Sequence, residues 1–140
     1  MSNSIEHLHF DLTGHIALIT AANHGIGAAT ARALAKCGAS VLISYLRVSD
    51  PEGFPEPYRS NRTKDASEVI SAILSFGGKA SEMEADLRDT SMITKLFDFA
   101  EAEFGPVDIL VNNATGWVAD TFTTDREHVT GIRSDGLTMR

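Results

Sequence analysis

Four short stretches of this sequence hold glycine or polar residues suited to a ligand-binding site. The first is Thr20-Ala21-Ala22-Asn23-His24-Gly25-Ile26-Gly27. The second is Tyr45-Leu46-Arg47, the third Asp86-Leu87 and the fourth Asn112-Asn113-Ala114. None is a nucleophile set beside a base, so the chemistry they suit is binding. Gly25 and Gly27 remove side chains where a pyrophosphate would lie against backbone N–H groups. A helix that starts at the turn adds the positive end of its dipole at the same place. The bland alternative is a tight strand-to-helix turn with no ligand. The surrounding pattern favours binding: the apolar run Ile16-Ala17-Leu18-Ile19 precedes the turn, and an alanine-rich helical pattern follows it.

The elements that must position these residues can be read in order. Residues 1–14 are polar and mixed, with Phe10 and Leu12 as anchors. A first strand is expected over about 15–20 and a first helix over about 25–37, with Gly38 where a helix-terminating glycine belongs. Ala28, Ala29, Ala31 and Ala33 would let that helix sit close to the sheet. Val41-Leu42-Ile43-Ser44-Tyr45 reads as the second strand. Residues 46–62 hold Pro51, Gly53, Pro55 and Pro57 and read as a long loop. A second helix is expected over about 63–76, with Ala66, Val69, Ile70, Ile73 and Leu74 as its apolar stripe. A polar third strand follows over about 79–85, suited to a sheet edge. A third helix over about 90–103 carries Ile93, Leu96, Phe97, Ala100 and Phe104 in its stripe, and Gly105-Pro106 end it. The fourth strand is 107–111. Residues 119–140 read as an irregular C-terminal segment.

This alternation implies parallel strands joined by right-handed crossovers. The expected architecture is a single α/β domain over residues 1–140, with its core in 12–118. It is a Rossmann-type, doubly wound three-layer fold whose parallel sheet has the order 3-2-1-4. The four stretches named first then all lie at the carboxyl ends of the strands, where such sheets bind ligands.

Composition narrows the partners. The net charge is −7 with no basic block, which argues against nucleic acid or an anionic membrane surface. A hydrophobic fraction of 43% supports a core, and 22% charged residues is ordinary. The single cysteine, Cys37, allows no disulfide within the chain and no cysteine metal cluster, and it is expected to be buried against the sheet. No metal site is expected; His7 and His9 read as part of a polar tail. With no signal-like or membrane-spanning run, a cytoplasmic location is the default.

At this point the motifs resemble those of the short-chain dehydrogenases/reductases. Thr20 to Gly27 resembles that family's TGxxxGIG turn. Asp86-Leu87 looks like its acidic residue after strand three, which contacts adenine. Val107-Asp108-Ile109-Leu110-Val111-Asn112-Asn113-Ala114 looks like its vDiLVNNAG strand, and the flavour is that of 3-oxoacyl-carrier-protein reductase-like members. The resemblance covers about residues 12–118 and departs in two places. Ala21 replaces the first glycine, which is tolerable only if its backbone stays at negative φ. Thr115 replaces the glycine after Asn-Asn-Ala.

The resemblance implies a dinucleotide cofactor. Thr20, Ala22, Asn23, His24, Tyr45 and Asn113 would belong to its site. Gly25, Ile26 and Gly27 would hold the pyrophosphate, Asp86 and Leu87 would flank adenine, and Asn112 and Ala114 would pack by the adenosine ribose and the middle of the cofactor. No acid stands at the end of strand two; Arg47 stands there instead, able to take a 2′-phosphate, with His24 as a further donor. NADP is therefore favoured over NAD. The alternative for Arg47, as for Arg59, Arg62 and Lys64, is an ordinary solvated cation. Trp117 is either a pocket wall or a hydrophobic anchor.

The implied reaction is hydride transfer between NADP(H) and a small carbonyl or alcohol substrate. The family's Ser, Tyr and Lys lie outside these residues: four positions after Tyr45 and Tyr58 stand Ser49 and Arg62. The chain alone is expected to catalyse nothing. The alternative is a truncated or non-catalytic nucleotide-binding module acting through a partner chain. Strand four would then be an open edge that promotes association, and a homo-oligomer is allowed.

Overall fold

A computed structural model describes residues 10–48 and 56–115. The chain runs β1 (Ile16–Ile19), α1 (Gly25–Lys36), β2 (Ser40–Tyr45), α2 (Glu56–Thr63), α3 (Ser67–Ser75), β3 (Lys79–Glu84), α4 (Ser91–Glu103) and β4 (Ile109–Val111). The strands form one parallel sheet of order β3-β2-β1-β4, as the alternation predicts. Ile16 pairs with Ser40, Ala17 with Ile109 and Ser40 with Lys79; the β1–β2 and β1–β4 ladders both end at Ile19, while β2 and β3 stay paired two residues further, to Tyr45 and Glu84.

Each strand sends alternate residues to opposite faces. Ala17, Ile19, Val41, Ile43 and Tyr45 meet Ala28, Ala31 and Ala35 of α1 and Val69 and Ile73 of α3. Leu18 and Leu42 meet Leu96 and Ala100 of α4. Because helices cover both faces, β1 is an unbroken apolar run rather than an alternating one. The buried alanines of α1 are 28, 31 and 35; Ala29 and Ala33, also expected against the sheet, face outward. Leu74 and Ile93 likewise leave the predicted stripes for the surface, and Phe10 is exposed while Leu12 packs on the core. Cys37 is half-buried at the end of α1.

The largest departure from the sequence expectation lies in residues 46–62. Their second half is not loop but the helix α2. Pro57 falls in the first turn of α2, where a missing N–H costs no helical bond. Glu56 at the start and Arg62 at the end suit the helix dipole. The following helix starts later than expected. The Asp65 carboxylate accepts the Ser67 N–H and hydroxyl at 3.0 and 2.6 Å, and this turn breaks the chain ahead of α3. β4 is also shorter than expected, because Asp108 serves β1 with its side chain: its carboxylate accepts the Ile16 N–H at 2.8 Å and contacts His15 Nδ1 at 2.6 Å. That amide bond, ahead of the His15 contact, holds the Asp108 pKa below the usual range.

Among the described residues β3 is one edge of the sheet, as its polarity suggests, and β4 pairs with β1 alone. No helix among them is long and apolar enough to cross a membrane. Trp117, the two N-terminal histidines and residues 119–140 lie outside the described residues.

The packing predicts a sharp contrast between neighbours on α3. Ile73 is fully buried and Leu74 is 54% exposed. Ile73→Ala should cost about 2–5 kcal/mol in urea unfolding, and Leu74→Ala about 0.5 kcal/mol.

Candidate functional site

The turn after β1 is held from three directions. Toward β4, the buried Thr20 hydroxyl accepts the N–H groups of Asn113 and Ala114 at 3.0 and 2.9 Å, and Thr20 N–H donates to Val111 O at 3.1 Å. The Asn113 side-chain amide donates to Ala21 O at 3.0 Å. Toward β2, Ala22 N–H donates to Ser44 O at 3.0 Å. Toward the chain ahead of α3, the buried Asn23 amide donates to Lys64 O at 2.9 Å. The side chains of Thr20, Asn23 and Asn113 were expected at a cofactor. They bond to the protein's own backbone, and Ala22 is fully buried. These bonds set the turn's shape.

Ala21 corrects one expectation. Its φ is +52°, in the left-handed region rather than at negative φ. An alanine there costs about 1 kcal/mol that a glycine would avoid. The Asn113 amide on its carbonyl holds it in place.

The two glycines divide their tasks, which the sequence did not separate. Gly25 has φ +58°, and a Cβ built on it meets nothing within 4 Å. It gives the turn its conformation and leaves open space in front. Gly27 has ordinary φ, but a Cβ there would lie 2.6 Å from both Ala21 O and Asn113 Nδ2. Gly27 lets α1 approach the turn and the β4 end; it clears space inside the protein rather than for a ligand. Helix α1 has no side-chain cap at His24. Its first bond runs from Ala28 N–H to His24 O, which leaves the N–H groups of Gly25, Ile26 and Gly27 as the helix's orphan donors. Ile26 is 80% exposed beside them.

The other expected residues line the same edge in different states. Tyr45 is buried on the α1–α3 face, and burial followed by the charges of Glu82 and Glu84 raises its pKa. Its carbonyl accepts the Ala85 N–H at 2.8 Å. Arg47 is bound to Glu84 through three donors: its N–H reaches Oε1 at 3.0 Å, and Nε and Nη2 reach Oε2 at 3.1 and 2.7 Å. Asp86 accepts from Arg88 side-chain nitrogens at 2.6–3.1 Å and from its N–H at 3.0 Å, which lowers the Asp86 pKa. Leu87 packs against the α4-side core. Asn112 and Ala114 are exposed at the end of β4.

From the sequence Arg62 and Lys64 could approach a phosphate but read more readily as surface cations. The structure ties the Lys64 carbonyl to the Asn23 amide of the turn. The pKa of His24 is lowered by burial first and then by the positive charges of Arg62 and Lys64. The signal lay in α2: only a folded excursion returns residue 62 to the end of β2, where Val48 N–H donates to Arg62 O at 2.9 Å.

This arrangement of parallel sheet, glycine turn and Asn-Asn-Ala strand end recurs in known proteins. A family model described as short chain dehydrogenase matches residues 15–131. The chain is 38% identical over 103 residues to short chain dehydrogenase claC of Passalora fulva, covering 74% of this chain and 33% of that protein. It is 35% identical over 129 residues to elsinochrome reductase 1 of Elsinoe fawcettii, covering 89% of this chain and 43% of that protein. The crystal structure of a blue fluorescent protein from a metagenomic library, in complex with NADPH, superposes with a TM-score of 0.63 at 28% identity, over 80% of this chain and 40% of that one. The chain thus spans between a third and a half of the length of these proteins.

Two substitutions test the turn. Thr20→Val removes the acceptor of two N–H groups and should cost about 1–3 kcal/mol in urea unfolding, whereas Thr20→Ser should cost much less. Ala21→Gly should gain about 0.5 kcal/mol, because relief of left-handed strain outweighs the added freedom of the unfolded chain.

Proposed function

The chain belongs to the short-chain dehydrogenase/reductase family, and from that premise we propose that it is the NADP(H)-binding portion of a reductase. The observation that carries this is the division of labour along the turn. Residues 20–23 are tied inward by hydrogen bonds or burial, while the N–H groups of 25–27 have no bond within the helix and a Cβ on Gly25 would meet nothing within 4 Å. Such an array is suited to an anionic phosphate. The residues present fit a dinucleotide: Gly25, Ile26 and Gly27 would hold its pyrophosphate through their N–H groups. Asn112 and Ala114, at the strand end beside the turn, would flank its middle. Asp86 and Leu87 are placed to border its adenine, with the Asp86 carboxylate fixed by Arg88.

A nicotinamide cofactor, when bound, supplies or accepts a hydride. These residues bind and orient it; a tyrosine followed four positions later by lysine is absent from the sequence. The substrate of the family reaction is proposed to be a small carbonyl compound or alcohol.

NADP(H) rather than NAD(H) is supported by the charge at the end of β2. A carboxylate is absent from Leu46-Arg47-Val48, and the neighbouring Glu84 carboxylate is neutralised by Arg47. An NAD-preferring fold places an unneutralised acid there for the ribose hydroxyls.

Calorimetric titration tests this. NADPH should bind about tenfold or more tighter than NADH, the yield of one charge-assisted contact. Equal affinities would overturn the NADP(H) assignment, and binding of neither would overturn the cofactor site. No turnover of a carbonyl substrate by the 140-residue chain is expected; measured turnover would contradict that part of the proposal.

A further inference from the structure

The end of β2 divides into an acidic side and a basic side. On the side of β3 and the start of α3 stand Glu84, Glu82 and Asp65. Glu84 is held ionised by the Arg47 side chain and amide, which lower its pKa. Asp65, turned onto Ser67, is also shifted down. The Arg47 guanidinium faces this group of acids: Glu84 Oε2 accepts from its Nε and Nη2, while Oε1 accepts the Arg47 backbone N–H. A phosphate brought to Arg47 would meet Glu84 at once.

The other side carries the opposite charge. Val48, just past β2, donates its N–H to the carbonyl of Arg62 near the end of α2. At the glycine turn the Asn23 amide fixes the Lys64 carbonyl at 2.9 Å, and the positive charges of Arg62 and Lys64 both act on His24. Lys64 Nζ lies 4.0 Å from the Glu68 carboxylate, which is 84% exposed, a loose solvated pair that an anion can displace. This basic side adjoins the orphan N–H groups of the glycine turn.

Building on the NADP(H) assignment above, we propose that cofactor selectivity is set by two separate devices. Arg62 and Lys64 receive the 2′-phosphate beside His24. Arg47 is a positioning residue that acts only through Glu84, removing a negative charge that would repel that phosphate. Arg47 therefore matters to NADPH without touching it.

A set of variants separates this from direct contact by Arg47. NADPH and NADH are titrated calorimetrically into the full chain and into Lys64→Gln, Arg62→Gln, Arg47→Gln, Glu84→Gln and Arg47→Gln/Glu84→Gln, each checked for its fold by circular dichroism. Lys64→Gln and Arg62→Gln should each weaken NADPH about tenfold or more, with NADH changed by less than about threefold. Arg47→Gln should weaken NADPH because Glu84 is left bare. Removing that charge as well should restore NADPH to within about threefold of the unaltered chain, since a double-variant cycle isolates the coupling between the two groups. A double variant as weak as Arg47→Gln would show direct contact and overturn the proposal. An unaltered chain that prefers NADPH, with the preference intact in Lys64→Gln and Arg62→Gln, would overturn it while leaving the cofactor assignment standing. No NADPH preference in the unaltered chain would overturn both.

Discussion

A single hydroxyl joins the two strand ends on which the site depends. Thr20 Oγ1, 5% exposed at the end of β1, accepts the backbone N–H groups of Asn113 and Ala114 just beyond β4. These donors lie where strand pairing stops, so they have no ladder partner of their own. The bond that satisfies them also fixes the distance between the turn and the β4 end. Asn113 then reaches back to Ala21 O and stabilises a left-handed alanine. Without the hydroxyl, both the Asn-Asn-Ala end and the turn would lose their common reference point.

The direction in which the turn opens follows from packing. Helix α1 lies close to the sheet because its buried positions are alanines and because Gly27 admits the Ala21 carbonyl and the Asn113 amide. Leu18 and Leu42 on the opposite face rest on α4, so the sheet is clamped from both sides and its carboxyl edge is a fixed platform. The charge arrangement is laid over this platform: acids from β3 and α3 on one side of β2, and cations from the α2 excursion on the other.

Sheet order and the identity of the glycine turn were legible in the sequence because both rest on local patterns. Ile16 to Ile19 can only be a strand covered on both faces, and Ala28, Ala31 and Ala35 repeat at helical spacing. The roles of individual site residues were less legible. Asn113 and Thr20 are separated by 93 positions, and their bond exists only once β4 lies beside β1. The same holds for Arg47 and Glu84, 37 positions apart: a lone arginine after a strand looks available until the neighbouring strand supplies its carboxylate. Helix α2 was hidden by Pro57, which signals loop by composition although the first turn of a helix tolerates it. The φ of Ala21 was misjudged because residue type was given more weight than the geometry of the turn, which fixes that angle whatever the side chain.

The central claim is that the turn's inner residues shape it and its outer N–H groups bind phosphate. Backbone amide NMR of the ¹⁵N-labelled chain, recorded while NADPH is added, addresses this most directly. The largest shifts should fall on Gly25, Ile26 and Gly27, with smaller ones at Asn112 and Ala114, while the Ala22 amide, bonded to Ser44, moves little. Shifts that leave residues 25–27 unmoved, whether confined to another face of the sheet or absent altogether, would contradict the account.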